Sequence, residues 1–363
     1  MSSTAGEAAE GNSRNVSDAL GVTALGACAV WSLITAAVHG GRPEGVLLAV
    51  LALAAGCAAG RITGVLLPVA APCAGALAGL ASTVALPRLG PGAGIAAPLG
   101  HAGATAAVLA LSAGAACCAA WATPVPARRL ALWLLAGAVT VAAALLESTA
   151  GVVTCCVVLG CSLVSGQMRH RGPALAASAV AAALVTGLTW AVAGNALPGG
   201  LADRLTDRLT PHRVGLWRDA LGMVRGQSAL GVGPGRFGEL STTAARSTLT
   251  DGRPHSAPLQ TAAEQGVVGL LLLSAVFCWV LFALWRSQRP TPVVLTAGFT
   301  LTAVAAIAAI GNALSFTTVS VGAGLLAGLA TARPLAEAPA LPAAPGAPSG
   351  CERDLHHGGR PAV

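Results

Sequence analysis

Apolar stretches of about 16 to 28 residues recur along the chain, a length typical of α-helices that cross a lipid bilayer. The pattern predicts about ten such helices, near residues 19–38, 44–60, 63–86, 102–122, 130–147, 150–165, 173–193, 257–285, 292–310 and 313–331. Pro68 and Pro72 are expected to kink the third helix. The chain is therefore predicted to be an all-α, polytopic membrane protein with one large polar segment between helices 7 and 8.

The composition supports this class. The 363 residues are 55% hydrophobic and only 10% charged, whereas soluble domains are about a quarter charged. The net charge of +7 comes from arginine alone, and no basic run with interleaved aromatics indicates a nucleic-acid partner. Nine of the ten cysteines lie in apolar stretches without a C-x-x-C pair. They are expected to be small buried hydrophobes, and we expect no metal and no cofactor.

Arginines in the short loops predict how the chain crosses the membrane. With a cytoplasmic N-terminus, the cytoplasmic side would hold Arg14, Arg61, Arg128, Arg129, Arg169, Arg171, Arg286, Arg289 and Arg333, against only Arg42 and Arg88 outside. This asymmetry predicts a multi-pass plasma-membrane protein whose long loop is extracytoplasmic. The predicted divisions are a cytoplasmic tail (1–18), helices 1–7 (19–193), the loop (194–256), helices 8–10 (257–331) and a disordered cytoplasmic tail (332–363).

A short amphipathic helix is predicted inside the polar loop. Thr210 can cap it and Pro211 can occupy its first position. Its apolar face would carry Leu216, Trp217, Ala220, Leu221 and Val224. Arg213 lies four residues before Trp217, on the apolar side. A buried arginine needs an anion, which is either a substrate group or one of Asp203, Asp207 and Asp219.

The segment from Gly231 to Phe237 contains three glycines and ends with Arg236 beside the phenylalanine. Its backbone N–H groups could bind a phosphate, or the segment could be a tight turn that returns the chain to the membrane. Arg236 accordingly either contacts substrate or is solvated.

His255 stands immediately before the eighth predicted helix, which Ser256 could cap. A helix N-terminus disfavours imidazolium and attracts anions, so His255 is expected to remain neutral and able to accept a proton. Ser256, Gln260 and Glu264 follow at spacings of four, as a polar stripe on an otherwise apolar helix. Because lipid cannot accommodate that stripe, we expect it to face the interior of the bundle.

These residues form an ordered set that resembles the O-antigen ligase and polymerase superfamily: Arg213-x-x-x-Trp217, Ala220-Leu-x-Met223, Leu230-Gly-Val-Gly-Pro-Gly-Arg-Phe237, His255-x-x-x-Leu259-Gln260 and Glu264-x-Gly266-Val-Val-Gly269. The resemblance implies a helical membrane glycosyltransferase with a large extracytoplasmic loop. Such enzymes transfer a glycan from an undecaprenyl diphosphate carrier to a hydroxyl group of a glycan, lipid or protein acceptor, without metal or nucleotide.

By this resemblance, His255 would assist deprotonation of the acceptor hydroxyl and Arg213 would bind the carrier diphosphate. The residues expected to contact substrate are Arg236, Arg253, Gln260, Glu264 and Trp217. One departure concerns a family arginine in a Ser-Arg-Gly-like motif, because this chain has Thr149 in Ser148-Thr-Ala-Gly151. Either a diphosphate ligand is missing, or Arg88, Arg236 or Arg253 replaces it.

Two other functions remain open. A transporter or flippase of a lipid-linked or anionic substrate would also use arginines and an interior polar stripe. A non-catalytic family member is the second alternative, because of Thr149. Nearly all the arginines lie in loops and not within the apolar helices, which favours the enzyme.

Overall fold

The structure, a computed structural model, describes residues 3–85, 102–198, 200, 210–246 and 253–333. All its regular elements over these ranges are helical. The α-helices are α1 (Ser3–His39), α2 (Glu44–Leu66), α3 (Ala70–Ala85), α4 (Ala102–Ala122), α5 (Pro126–Leu145), α6 (Thr149–Ser165), α7 (Arg171–Ala193), α8 (Pro211–Gly226), α9 (Phe237–Leu240), α10 (Thr242–Ala245), α11 (Ala257–Trp285), α12 (Thr291–Ile310) and α13 (Thr317–Thr331). Arg88, Asp203, Asp207 and the predicted tail from residue 334 onward lie outside the described residues.

Seven of these helices contain a segment long and apolar enough to cross a membrane. They are α1, α2, α4, α5, α7, α11 and α12. Three shorter apolar helices, α3, α6 and α13, lie among them. The prediction of an all-α, multi-pass membrane protein is confirmed. The total of ten crossings stays a prediction, because α3, α6 and α13 are shorter than a typical span.

Some predicted helix boundaries were wrong. Pro68 does not kink one long helix but separates two, since α2 continues to Leu66 and α3 begins at Ala70. The residue before a proline is disfavoured in the helical region, and Leu67 has φ −135° and ψ 68°. The last predicted helix begins at Thr317, after a single 3₁₀ turn. At the other end of the chain, helix α1 includes residues 3–18 of the predicted tail.

Helices α4 and α12 form the centre of the bundle. Almost every residue of α4 from Ala104 to Ala120 is buried, because Ala, Gly, Ser and Cys let neighbouring helices approach closely. Polar side chains inside this region bond to one another: Trp121 Nε1 donates to Ser162 Oγ at 3.1 Å, and Ser162 Oγ lies 2.8 Å from Thr296 Oγ1. These bonds join α4, α6 and α12 away from water.

Helices α2 and α13 pack backbone against backbone. A Cβ atom on Gly60 would lie 2.3 Å from the Leu325 carbonyl oxygen, and one on Gly324 would lie 2.3 Å from the Leu53 carbonyl oxygen. Glycines four residues apart on both helices, including Gly56 and Gly60, make this approach possible. In a membrane, where burial of apolar surface gives helices little reason to associate, such close packing is a main source of stability.

We therefore predict that Gly60→Ala lowers the thermal stability of the purified protein in detergent. The added methyl group has no space, and overpacking of this kind costs about 1–3 kcal/mol. The matched control is Gly45→Ala in the same helix, because nothing lies within 4 Å of a Cβ built there. Equal melting temperatures for the two variants would contradict the close packing of α2 and α13.

Candidate functional site

Helix α8 is a short helix of the polar segment and is not among the candidate membrane spans. It begins as predicted, with Thr210 in an extended conformation and Pro211 in the first turn, although the Thr210 side chain makes no capping hydrogen bond. The predicted apolar face is buried as a whole: Leu216, Trp217, Ala220, Leu221 and Val224 pack in one cluster with Phe237, Leu259, Ala262 and Ala263. Helix α8 is thereby fixed to the first half of α11.

Helix α11 is broken at Gly266, which has φ 71° and ψ −170°. The break frees backbone carbonyls that would otherwise bond within the helix. The Ala263 carbonyl accepts a hydrogen bond from Val232 N and the Glu264 carbonyl accepts one from Gly233 N, each at 2.9 Å. We call residues 228–237, which supply these donors, the glycine turn. These hydrogen bonds provide donors for the carbonyl groups freed by the break, as a helix inside a membrane requires.

Two further hydrogen bonds join other parts of the chain to the break in α11. Trp31 Nε1 of α1 donates to the Gln265 carbonyl at 2.9 Å, and Val267 N donates to the Ser228 carbonyl at 2.8 Å. The backbones are in direct contact, because a Cβ atom on Gly266 would lie 2.2 Å from the Ala229 carbonyl oxygen. The hydrophobic pattern did not predict this break. Its only signal is a glycine inside a long helical pattern.

The predicted polar stripe of α11 faces the interior. Ser256 is fully buried and Glu264 is 5% exposed. Gln260 Nε2 donates to Glu264 Oε1 at 3.3 Å. The Glu264 carboxylate also accepts hydrogen bonds from the backbone amides of Gly235 and Phe237, and attracts Arg253 electrostatically. The glycine turn thus directs two amide groups toward a carboxylate of this protein. This geometry agrees with the second interpretation of the segment, a tight turn that returns the chain to the membrane.

Arg236 joins the glycine turn to the end of α1. Its Nη1 atom donates to the His39 carbonyl at 2.8 Å, and its Nε atom lies 3.8 Å from Glu239 Oε2. A second bond, from Arg42 N to the Pro234 carbonyl at 2.7 Å, fastens the same two segments. Arg236 therefore has a structural role in this arrangement, and its contact with substrate stays a prediction. Arg253 is exposed.

Trp217 was predicted to contact substrate, but it is 1% exposed and forms part of the cluster between α8 and α11. Its Nε1 atom donates to the Pro254 carbonyl at 2.7 Å. Trp217 therefore holds the residue before His255. His255 is half-buried and has φ 50°, a left-handed conformation that is uncommon for a residue other than glycine and often occurs at functional sites.

Arg213 is half-buried on the same helix, one turn before Trp217. Burial lowers the pKa of its guanidinium group. Among the described residues, no carboxylate forms an ion pair with it. An arginine with this burial and no such neighbour is suited to bind an anionic group of a ligand.

Asp219 was one of three predicted partners of Arg213, but its carboxylate bonds to residues near α10. Its Oδ2 atom accepts hydrogen bonds from Ser241 Oγ at 2.7 Å and from Thr243 N at 2.9 Å. Burial raises the pKa of Asp219, but these hydrogen bonds outweigh that effect and lower the pKa overall. The carboxylate thus fixes α10 against α8 as an ionised acceptor.

The turn before α6 contains no arginine. Thr149 is the first residue of α6 and is exposed, while Ser148 caps the helix by accepting a hydrogen bond from Gly151 N at 3.1 Å. Glu147 precedes it with φ 53°. The polar residues of this turn are thus used locally, and a family arginine would have to be replaced from another segment.

A metal centre is not evident in the described part of the chain, where no group of three or more His, Cys, Asp or Glu residues is arranged to hold an ion. The groups that the structure brings together at the polar end of the bundle are a half-buried arginine, a strained histidine and a polar stripe in which Gln260 and Glu264 are bonded, whereas the buried Ser256 hydroxyl neither caps the helix nor has another hydrogen-bond partner among the described residues.

This fold and site define a multi-pass helical membrane protein with a polar site at one end. Residues 130–274 match the family model described as O-antigen ligase. That region extends from α5 through the break in α11 and includes Arg213, the glycine turn and His255. The resemblance to the O-antigen ligase and polymerase superfamily is confirmed. No curated protein and no solved structure shows significant similarity to the chain.

We predict that Gly266→Ala destabilises the protein and displaces the glycine turn. Alanine is unfavourable at φ 71° and its methyl group would collide with the Ala229 carbonyl, so the expected cost exceeds about 1 kcal/mol. Thermal unfolding and limited proteolysis of the 228–237 segment would measure it. Gly222→Ala in α8 is the control, since a Cβ there has nothing within 4 Å. A Gly266→Ala protein as stable and protease-resistant as the control would refute the proposed pairing.

Proposed function

We propose that the protein transfers or polymerises a glycan from an undecaprenyl diphosphate-type carrier onto a hydroxyl acceptor. The match to the O-antigen ligase family supports glycan transfer in a membrane. The carrier and the acceptor class are inferred from the motif resemblance and from the chemistry of the site.

One physical connection carries the proposal. Arg213 and Trp217 lie one turn apart on α8, and the Trp217 indole holds the Pro254 carbonyl. His255 is the next residue. A guanidinium group without a carboxylate neighbour among the described residues is therefore linked through a single buried side chain to the backbone of the histidine. This arrangement supports the proposal, because it attaches the arginine and the histidine to one packed unit.

The chemistry requires both groups. In the proposed reaction, His255 accepts the proton of the acceptor hydroxyl while that oxygen forms a bond to the anomeric carbon of the donor sugar. The bond between that carbon and the carrier diphosphate breaks, and the diphosphate leaves with the bonding electrons. Arg213 stabilises the developing negative charge with paired N–H donors. The proton remains on His255 until the product leaves.

A second arginine is expected to assist with the diphosphate in place of the one missing at Thr149. Arg236 is occupied by the His39 carbonyl, whereas Arg253 is exposed and lies two residues before His255. We propose Arg253 for this role. Gln260 and Glu264 support the site indirectly, since their side chains bond to each other and the Glu264 carboxylate accepts hydrogen bonds from the glycine turn.

We further propose that this site lies on the extracytoplasmic side, with about ten membrane crossings. The opposite end of the bundle carries arginines that the sequence pattern assigned to the cytoplasmic side, and several of them make contacts between different helices or loops there. Arg61 pairs with Asp18 at 2.7 Å, Arg171 donates to the Ser287 carbonyl, and Arg289 donates to the Ala332 carbonyl at 2.9 Å. Such concentration of arginine is typical of cytoplasmic loops.

The role of Arg213 predicts that Arg213→Lys impairs glycan transfer far more than Arg218→Lys. Lysine keeps the charge but lacks the planar pair of donors that matches a diphosphate. Arg218 is the control because it lies on the same helix and is exposed. Transfer from a lipid-linked donor by purified protein would measure the difference. Equal tolerance at the two positions would mean that Arg213 is only an interfacial charge.

The role of His255 predicts that His255→Ala lowers the transfer rate by about 10²–10⁴-fold. Binding of the lipid-linked donor should change little, because Arg213 holds its diphosphate. The measurement compares wild type with His255→Ala at equal amounts of folded protein, and His170→Ala, an exposed histidine at the opposite end, serves as the control.

Unchanged transfer by His255→Ala would remove the histidine from the mechanism. If the wild-type protein moved the lipid-linked substrate across the membrane without any glycan transfer, the protein would instead be a transporter.

A further inference from the structure

The end of the bundle opposite the proposed site carries a dense group of arginines. Arg128 and Arg129 lie in the first turn of α5, and Arg169 and Arg171 lie at the start of α7. Arg286 and Arg289 lie between α11 and α12. Because several candidate membrane spans begin or end here, we infer that these side chains lie at the depth of lipid headgroups.

Contacts among three loops bring these arginines onto one surface. Trp121, near the end of α4, is central to it: the Arg129 Cζ atom lies 4.3 Å from the centroid of its ring. On the next loop, a Cβ on Gly166 would lie 2.5 Å from the Trp121 ring. Arg171 then donates to the Ser287 carbonyl in the loop between α11 and α12.

Trp121 is itself held in place. Its Nε1 atom donates to Ser162 Oγ at 3.1 Å, and Trp133 meets it edge-on with ring centroids 5.8 Å apart. A guanidinium group stacked on a fixed indole ring is pre-organised, so it loses less freedom when it binds a ligand. Arg129 is therefore a positioned cation at the surface. The exposed Arg128 is its neighbour in sequence, and the exposed Arg169 belongs to the loop whose Gly166 lies against the Trp121 ring.

Little negative charge opposes this group among the side chains of residues 16–85, 102–198, 210–246 and 253–333. Of the acidic residues in these ranges, only Asp18 lies at this end, and it pairs with Arg61 at 2.7 Å. The others lie at the opposite end, at the start of α2, before α6 and in the segment around the glycine turn, and they are Glu44, Glu147, Asp219, Glu239 and Glu264. The surface needs anions from outside these residues.

We propose that Arg128, Arg129 and Arg169, which we call the arginine patch, bind the phosphate of an anionic phospholipid headgroup. The position at the membrane boundary favours a lipid over a soluble phosphate compound, and the fixed Trp121 ring supplies an interfacial aromatic surface beside the cations. The patch selects anionic over zwitterionic lipids, and this binding does not depend on the proposed glycan transfer.

Lipid binding can be measured with the full-length protein in a neutral detergent. Short-chain phosphatidylglycerol would be titrated and bound lipid counted by native mass spectrometry, with phosphatidylcholine of the same chain length for comparison. We expect wild type to prefer phosphatidylglycerol, and the combined Arg128→Gln, Arg129→Gln and Arg169→Gln variant to bind it about tenfold or more weakly. The matched control replaces three exposed arginines of the opposite end, Arg218, Arg225 and Arg246, with Gln.

A second variant guards against effects on folding. Lysine at Arg128 and Arg169, with Arg129 unchanged, keeps the charge and the guanidinium stacked on Trp121, so this variant should retain most of the affinity. Equal weakening by the patch variant and the control variant would overturn the proposal. So would equal binding of phosphatidylcholine, or displacement of the lipid by free glycerol phosphate at similar concentrations, which would assign the patch to soluble phosphate compounds.

Discussion

The break of α11 at Gly266 is the feature on which the polar end of the structure depends. A helix interrupted inside an apolar bundle leaves carbonyl groups that water cannot reach, and each must find a donor. The glycine turn supplies two through Val232 and Gly233, and Trp31 supplies a third. Because these donors come from distant parts of the chain, one interruption fixes α1, α11 and the connecting segment together.

The same pairing explains where the functional groups stand. The first part of α11 is held from one side by the glycine turn and from the other by the apolar face of α8. His255 precedes that part of α11, and the Trp217 indole fixes its neighbour Pro254. Arg213 lies one turn from Trp217 on α8. The arginine and the histidine lie far apart in sequence, yet both are attached to one packed unit.

Sequence patterns predicted the features that depend on local chemistry. Apolar length predicted the helical membrane class, helical spacing predicted the buried face of α8, and spacing by four predicted the interior stripe from Ser256 to Glu264. The uses of Trp217, Arg236 and the glycine turn could not be read from sequence, because their partners are Pro254, His39 and Glu264. These contacts are tertiary, and the residue types alone are equally compatible with substrate binding. The separation of α2 from α3 could have been predicted from the sequence, since Pro68 disfavours a helical conformation at Leu67.

Hydrogen exchange tests most directly whether the glycine turn is bonded to the broken helix. The amides of Val232 and Gly233 belong to a connecting segment but donate to the Ala263 and Glu264 carbonyls. The account predicts that these two amides exchange as slowly as amides in the middle of α11, because they open only when the site unfolds. Exchange at the rate of an exposed loop, in a protein whose α11 amides remain protected, would contradict it.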